Sequence, residues 1–286
     1  MDQQPHKLNE EAINFYCRDN MLKELLASML RAKVRCMTMN QLCDELESIL
    51  ECEFYEELLV GIRERELTNA DAEQLAKVLD KLVAASETLP RRERDIVLRA
   101  TKRVACLLPS QLALRIGAPF LNYKVKVGRD IAYATYRSVG VPAEHAQNLF
   151  DRFQSTGDQE LLILLAYSSE AVLALDGLDL VSSIEDNYWR ARVVGVYLEG
   201  DRARARTASS DFPTAFVLAV ALSRDESWFS KLDGLLHKNL DNLEFLRLYA
   251  YALGRLGRGD ALRELEVIAD SLVSKHAAES EGREEE

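Results

Sequence analysis

One stretch near the C-terminal end carries the clearest structural pattern: Asp241-Asn-Leu-Glu-Phe-Leu-Arg-Leu-Tyr-Ala-Tyr-Ala-Leu-Gly-Arg-Leu-Gly257. Large apolar residues recur along it every three or four positions, which is typical of an amphipathic helix, and Gly257 stands where that helix would end. A second apolar series follows Asp260-Ala-Leu262 with the same spacing, at Leu265, Ile268 and Leu272. The segment therefore predicts two helices joined by a short turn, each with one apolar face.

Weaker copies of this pattern occur upstream. The stretch Arg129-Asp-Ile-Ala-Tyr-Ala134 repeats the small residues, and Asp186 with Arg190 repeats the Asp…Arg pair. The arginines are separated by 61 positions (129 to 190) and by 57 positions (190 to 247), and further predicted helix starts lie between them. The working period is about 30 residues, which is within the range of stacked helix-pair repeats.

This pattern resembles the HEAT repeat, especially its short bacterial form. There an Asp precedes a Val-Arg pair, small residues and Leu-Gly end the first helix, and Ala-Leu opens the second. The resemblance covers residues 90–274 and is most specific in the unit from Asp241 to Ser274. It implies an α-solenoid, because one helix pair cannot bury its own apolar face and several pairs must stack. It also implies that the Arg of each unit bonds to backbone or acidic groups of a neighbouring repeat.

The stretch 201–213 departs from this pattern, because it is polar and alanine-rich and contains few large apolar residues. It predicts either a shortened unit or an inserted loop. A TPR-like or irregular helical array is the alternative architecture.

The other parts of the chain also predict helices. Residues 1–89 predict a separate helical bundle or cap with long helices over about 8–37 and 41–65 and a third after Thr68, and Pro90 marks the boundary. Only 6 Pro and 13 Gly occur, and no alternating apolar pattern suggests a strand, so we predict an all-α fold. Residues 275–286, rich in Glu, predict a disordered acidic tail.

Composition places the chain among ordinary globular proteins, with 48% hydrophobic and 29% charged residues. The first residues are polar, which predicts no secretory signal, and the most apolar run, Leu161 to Tyr167, is far shorter than the ~20 residues that cross a bilayer. These features predict a cytoplasmic protein that makes no membrane contact.

We expect no catalytic or metal chemistry. The four histidines are scattered, and none belongs to a known catalytic pattern. The cysteines lack the paired short spacing of a zinc site and predict small buried residues on helices; they are Cys17, Cys36, Cys43, Cys52 and Cys106. The sequence therefore predicts no metal, no cofactor and no enzymatic activity.

One cluster invites comparison with an enzyme. Some HEAT-like proteins are DNA glycosylases, which place an aromatic residue, an acid and a base around an extruded nucleotide. Trp189 with Asp186 and Arg190 is similar to such a set. Because Asp186 and Arg190 also fit the structural motif of the repeat, we favour the structural interpretation.

Charge is distributed unevenly along a chain whose net charge is −11. Residues 1–90 hold 10 Lys+Arg and 18 Asp+Glu, residues 91–137 hold 11 and 3, and residues 138–286 hold 15 and 26. Helical spacing places the cations of the middle block near one side of two predicted helices. We expect a partner-binding basic patch formed by Arg92, Arg99, Lys102, Arg103, Lys126, Arg129, Tyr133 and Arg137. The equally weighted alternative is that this block only neutralises the acidic segments within the molecule.

A repeat architecture without a catalytic set of residues predicts a non-catalytic interaction scaffold or regulatory subunit. Its partner would be a protein bound to the helical-repeat surface. The alternative is a nucleic-acid-binding accessory protein that uses residues 91–137. The sequence leaves the oligomeric state open.

Overall fold

The computed structural model describes residues 20–52 and 54–281, which are helical and contain no β-strand. The predicted all-α class is therefore confirmed. The chain divides into two compact units, unit 1 up to Val139 and unit 2 from Gly140. The division does not fall at Pro90, where the sequence predicts it. The helix that begins at Arg91 belongs to unit 1 because its buried side chains join the same core as those of residues 34–82.

The described part of unit 1 contains seven α-helices and a 3₁₀ turn at residues 118–122. The α-helices are α1 (Asn20–Cys36), α2 (Met39–Glu47), α3 (Tyr55–Arg63), α4 (Asn69–Ser86), α5 (Arg91–Ala105), α6 (Ser110–Gly117) and α7 (Lys126–Val139). They form two rows of alternating helices. In one row α1, α3, α5 and α7 are in contact in that order, and in the other α2, α4 and α6.

The prediction of a single helix over residues 41–65 is wrong, because two helices, α2 and α3, occupy this stretch. Ser48 ends α2, where its N–H donates to the carbonyl oxygens of Asp44 and Leu46, and the chain turns before α3 begins at Tyr55. Ile49 and Cys52 lie in this turn and are buried in the unit 1 core. The apolar residues that suggest a continuous helix therefore hold a turn in place, and the break lets α2 and α3 enter different rows.

The described part of unit 2 contains ten α-helices and a 3₁₀ turn at residues 226–228. The α-helices are α8 (Ala143–Thr156), α9 (Gln159–Tyr167), α10 (Ser169–Ala174), α11 (Asp179–Ser183), α12 (Asn187–Gly200), α13 (Arg202–Asp211), α14 (Pro213–Ser223), α15 (Phe229–Leu236), α16 (Leu243–Arg255) and α17 (Gly259–Glu281). A row of alternate helices occurs here too: α8, α10, α12, α14 and α16 are in contact in that order. The remaining helices of the unit flank this row.

The centre of unit 2 is α14, which packs against both α12 and α16. Phe216, Val217 and Val220 are buried, as are Ala215 and Ala219. A helix that is apolar on all sides is stable only when other elements surround it. Because α14 is apolar on all sides, it is stable in the position between α12 and α16, where both neighbours cover it.

The sequence predicts a shortened unit or a loop at residues 201–213, but the structure has a helix there, α13. The Asp201 side chain accepts hydrogen bonds from the backbone N–H groups of Ala203 and Arg204, which caps the helix. Ala205 and Ala208 are fully buried, and α13 contacts both α12 and α14. Small side chains allow this close approach, so a segment without large apolar residues still packs as a helix.

The predicted helix ends are confirmed at several glycines. Gly140, Gly157 and Gly257 adopt the left-handed conformation, with φ of 85°, 69° and 69°. Asp158 caps α9, and Asn242 caps α16. In each case the residue immediately before the first helical turn has the extended backbone that a cap requires.

The final helix continues to Glu281, past the predicted end at Ser274 and into the segment predicted as a tail. Residues 282–286 lie outside the described residues, as do His6 and Cys17. Within the part of the chain that the structure describes, no helix is both long enough and apolar enough to span a membrane.

Candidate functional site

The predicted basic patch lies entirely in unit 1, on α5 and α7, which are neighbours in one row. On α5 the side chains of Arg92, Arg99 and Arg103 are exposed and lie on the side of the helix opposite Val97 and Val104, which are buried. Lys102 lies about a quarter of a turn from them and is partly buried. The helix therefore presents three arginines to solvent and one lysine at its flank.

On α7 the predicted residues have different environments. Lys126 and Arg137 are exposed, whereas Arg129 and Tyr133 are partly buried. Arg129 Nη1 donates to the carbonyl oxygen of Tyr123 at 3.2 Å and to that of Lys124 at 3.0 Å. Arg129 therefore anchors the segment that directly precedes α7.

The C-terminal ends of α5 and α7 are adjacent. Cys106, directly after α5, forms a hydrogen bond with Ser138 of α7. Burial raises the pKa of the Cys106 thiol, and the Ser138 bond and the charge of Lys102 partly offset this rise. The structure thus places Lys102 and Arg137 at the same end of the two helices.

Four exposed ion pairs among the described residues connect neighbouring helices of the two rows in unit 1. The pairs are Arg35–Glu64 at 2.5 Å, Glu47–Lys81 at 2.6 Å, Glu56–Arg103, and Asp80–Arg115 at 3.1 Å. In the last two, the cation comes from the basic block and the carboxylate from the acidic N-terminal segment. Since all four pairs are exposed, each stabilises the unit by only about 0–1 kcal/mol.

These pairs bear on the two interpretations of the basic block. Arg103 has an intramolecular partner in Glu56, which agrees with internal neutralisation. Arg92, Arg99, Lys102 and Lys126 form no hydrogen bond or ion pair within residues 20–52 and 54–281. The predicted patch therefore separates into cations with an internal structural role and cations that face solvent.

Unit 2 contains a cluster that the sequence analysis does not predict as a binding site. We call it the aromatic surface and define it as Tyr167, Tyr188, Trp189 and Arg192. The Trp189 ring meets the rings of Tyr167 and Tyr188 edge-on, with centroids 4.8 Å and 5.2 Å apart. The guanidinium of Arg192 lies 5.3 Å from the Tyr167 ring and 6.0 Å from the Trp189 ring. Tyr167 remains 54% exposed and Tyr188 46% exposed.

The start of α12 positions this cluster. Asp186 accepts hydrogen bonds from the backbone N–H groups of Tyr188 and Trp189 and caps the helix. Arg190 Nε donates to the carbonyl oxygen of Ile184. The acid and the base of the glycosylase-like set are thus engaged in local structure, which supports the structural interpretation, while Trp189 belongs to the aromatic surface.

A further apolar side chain lies at the same end of α12. Asn187 Nδ2 donates to Glu244 Oε1 at 2.9 Å, which joins the starts of α12 and α16. Leu243, next to Glu244, is 77% exposed. Two adjacent aromatic residues at a helix start, Tyr188 and Trp189, are the sequence signal that could have indicated the aromatic surface.

The cysteine thiols differ in their exposure to solvent. Cys43 and Cys52 are buried, which agrees with the prediction, whereas Cys36 is exposed at the end of α1. Burial raises the pKa of the Cys43 and Cys52 thiols. Among the described residues, no three or more His, Cys, Asp or Glu side chains are grouped so that they would hold a metal ion.

Comparison with known proteins identifies no relative: no family model, no curated protein and no solved structure matches the chain.

Proposed function

We propose that this protein is a non-catalytic interaction scaffold or regulatory subunit that binds a protein partner through the aromatic surface of unit 2. The observation that carries the proposal is the exposure of Tyr167 and Tyr188 around Trp189 and Arg192. Tyr, Trp and Arg are the residues that most often dominate the binding energy of protein interfaces. Grouped apolar exposure of this kind is typical of an interaction site.

The aromatic surface is suited to binding because its members are already ordered. The edge-on ring contacts and the stacked Arg192 restrict the side chains before a partner arrives. Less side-chain entropy is then lost on association, which favours affinity.

The architecture proposed for this scaffold is an α-solenoid of HEAT-like helix pairs. Contacts between alternate helices in each unit support it, because stacked helix pairs place every first helix beside the next first helix. Arg129 and Arg190 bond to backbone carbonyls, as the HEAT resemblance implies, but these carbonyls lie five or six residues upstream and not in a neighbouring repeat. Arg247 departs from that role, since it is exposed and forms no hydrogen bond within the described residues.

The test is a comparison of two tyrosine variants by quantitative affinity purification from the native host, followed by titration with the purified partner. Tyr188→Ala removes a ring of the aromatic surface, and Tyr251→Ala is a matched control because both tyrosines are 46% exposed. We expect Tyr188→Ala to weaken binding of a stoichiometric partner at least tenfold and Tyr251→Ala to leave it unchanged. Equal effects of the two variants would contradict the proposal.

A second candidate function is nucleic-acid binding by the basic patch of unit 1. The observation that favours it is the adjacency of α5 and α7, together with the solvent-facing cations Arg92, Arg99 and Lys126. The test is a salt titration of DNA or RNA binding. Binding that falls steeply with salt and is lost in Arg99→Glu plus Lys102→Glu would support this function.

The control for that titration is Arg63→Glu plus Lys77→Glu. It makes the same charge change at exposed positions of unit 1 outside the patch. If both double variants bind equally, the patch is not the site. If the wild-type protein does not bind at low salt, this second function is wrong.

A further inference from the structure

A polar cavity of about 320 Å³ lies between α13, the 3₁₀ turn at residues 226–228, and α15. Its lining consists of cationic and hydroxyl side chains around one indole ring: Arg202, Arg206, Ser227, Trp228, Ser230 and Lys231. Among the residues that the structure describes, no carboxylate lines it. This is notable in a segment, residues 138–286, that holds 15 Lys+Arg and 26 Asp+Glu.

The alternating arginines of α13 have two different roles. Arg204 is turned toward the protein, where it donates to the carbonyl oxygen of Leu175 at 2.6 Å and pairs with Asp201 at 3.0 Å. Arg202 and Arg206 are exposed and line the cavity. Arg204 therefore helps to hold α13 in place, whereas the other two arginines are exposed at the cavity.

The cations that line the cavity repel one another when no anion lies between them. Arg202 and Arg206 are four residues apart on one helix, and like charges at this spacing destabilise a helix. Lys231 of α15 adds a third positive charge to the same cavity. A second cavity, of about 280 Å³, shares Lys231 and adds Lys238. Cations of α13 and α15 thus line the first cavity together, and Lys231 lines both cavities.

Asp225, two residues before Ser227, neutralises this region only in part. Hydrogen bonds from the Ser227 side chain and backbone N–H hold the pKa of Asp225 below its ordinary value, and Arg202 contributes to the lowering. Asp225 is thus charged and occupied with Ser227. Arg206 and Lys231 form no ion pair within the described residues.

The floor of the cavity is rigid. Trp228 is only 6% exposed and packs edge-on against Phe216 of α14, with ring centroids 5.6 Å apart. The guanidinium of Arg202 lies 5.7 Å from the Trp228 ring, which fixes its position. The Ser230 hydroxyl forms no hydrogen bond within the described residues, so it is available as a donor.

We propose that this cavity binds a phosphate group, through Arg202, Arg206 and Lys231 with the Ser230 hydroxyl. Arginine forms paired hydrogen bonds with phosphate oxygens, and the three cations more than balance the two negative charges of a phosphate dianion. The phosphate would belong to a small ligand or to a phosphorylated side chain of a protein. The proposal is independent of the aromatic surface and of the basic patch in unit 1.

The experiment uses the ¹⁵N-labelled full chain, which has only two tryptophans and therefore two indole N–H signals. Trp189→Phe assigns the signal of Trp228. Inorganic phosphate and a phosphoserine peptide are titrated separately, with sodium chloride used to hold the ionic strength constant. We expect a saturable shift of the Trp228 signal and no shift of the Trp189 signal.

Variants then locate the binding groups. Arg206→Ala and Lys231→Ala should each raise Kd about tenfold or more, as loss of a charged hydrogen bond does. Arg247→Ala removes one exposed charge from unit 2 outside the cavity and should leave Kd unchanged. Saturation by inorganic phosphate indicates a small ligand, and saturation by the peptide alone indicates a phosphorylated protein. Failure of both to saturate the shift, or equal Kd in Arg206→Ala and Arg247→Ala, overturns the proposal.

Discussion

Arg204 Nη1 donates a hydrogen bond of 2.6 Å to the carbonyl oxygen of Leu175, the residue that follows α10. The same guanidinium pairs with Asp201 and lies 5.5 Å from the ring of Tyr197 in α12. One arginine thus joins α13 to two other helices of unit 2. Because α13 buries only small side chains, this bond contributes much of the helix's attachment.

Replacement of Arg204 should destabilise unit 2. We expect Arg204→Ala to lower the free energy of unfolding by about 2–3 kcal/mol, because it removes a charged hydrogen bond and leaves the Leu175 carbonyl without its partner. Arg206→Ala on the same helix is the control and should change it by less than about 0.5 kcal/mol. Denaturant unfolding followed by tryptophan fluorescence measures both, since Trp189 and Trp228 lie in unit 2. Similar values for the two variants would contradict the assigned role of Arg204.

Two glycines should respond to alanine in opposite directions. A Cβ at Gly117, the last residue of α6, would overlap the Thr135 side chain of α7, whose Cβ lies 2.7 Å away. Gly117→Ala should therefore destabilise unit 1 by about 1–3 kcal/mol. A Cβ at Gly254 in α16 meets no atom within 4 Å, and Gly254→Ala should stabilise its helix by about 0.5–1 kcal/mol. Circular dichroism during denaturation measures both, and a stabilising Gly117→Ala would show that α6 and α7 are not in such close contact.

The contribution of Asp71 to the stability of the α4 cap should depend on pH. Hydrogen bonds from the Thr68 hydroxyl and the Thr68 backbone N–H lower the pKa of Asp71 below its ordinary value. Because the pKa of Asp71 is lower in the folded state than in the unfolded state, its carboxylate stabilises the fold at pH values above the unfolded-state pKa. This stabilisation is lost as the pH falls through the folded-state pKa. We expect Thr68→Ala to raise the pKa of Asp71, as measured by NMR titration of its carboxyl carbon. An unchanged pKa would show that the hydroxyl is not a partner of Asp71.

The cysteines should differ in their rates of reaction with a thiol reagent. Cys36 is exposed, whereas Cys43 and Cys52 are buried and their raised pKa values leave less of the reactive thiolate. In a Cys17→Ser background, Cys36 should be modified first and Cys36→Ser should remove the fast phase. A fast phase that persists in Cys36→Ser, with Cys43 or Cys52 labelled in it, would contradict their burial.

Local sequence signals predicted the helical class and many element ends. The bounds of α9, Gln159–Tyr167, are those that periodicity indicates, and Gly157 and Gly257 end helices as expected. These features depend on neighbours within one or two turns, so the residues themselves contain the information. The buried turn at Ile49 is different, because the same apolar residue suits a helix face or a turn that packs into a core.

Helices with apolar faces and an uneven distribution of charge follow directly from the order of residues in this chain. Which charges meet depends on the packing of the helices, which pairs Arg103 with Glu56, turns Arg204 toward Leu175, and leaves Arg206 in a cavity. It also brings Tyr167 against Trp189 from another helix. The physical reason is that helical periodicity specifies the face on which a residue lies, whereas its partners depend on contacts between helices far apart in the chain.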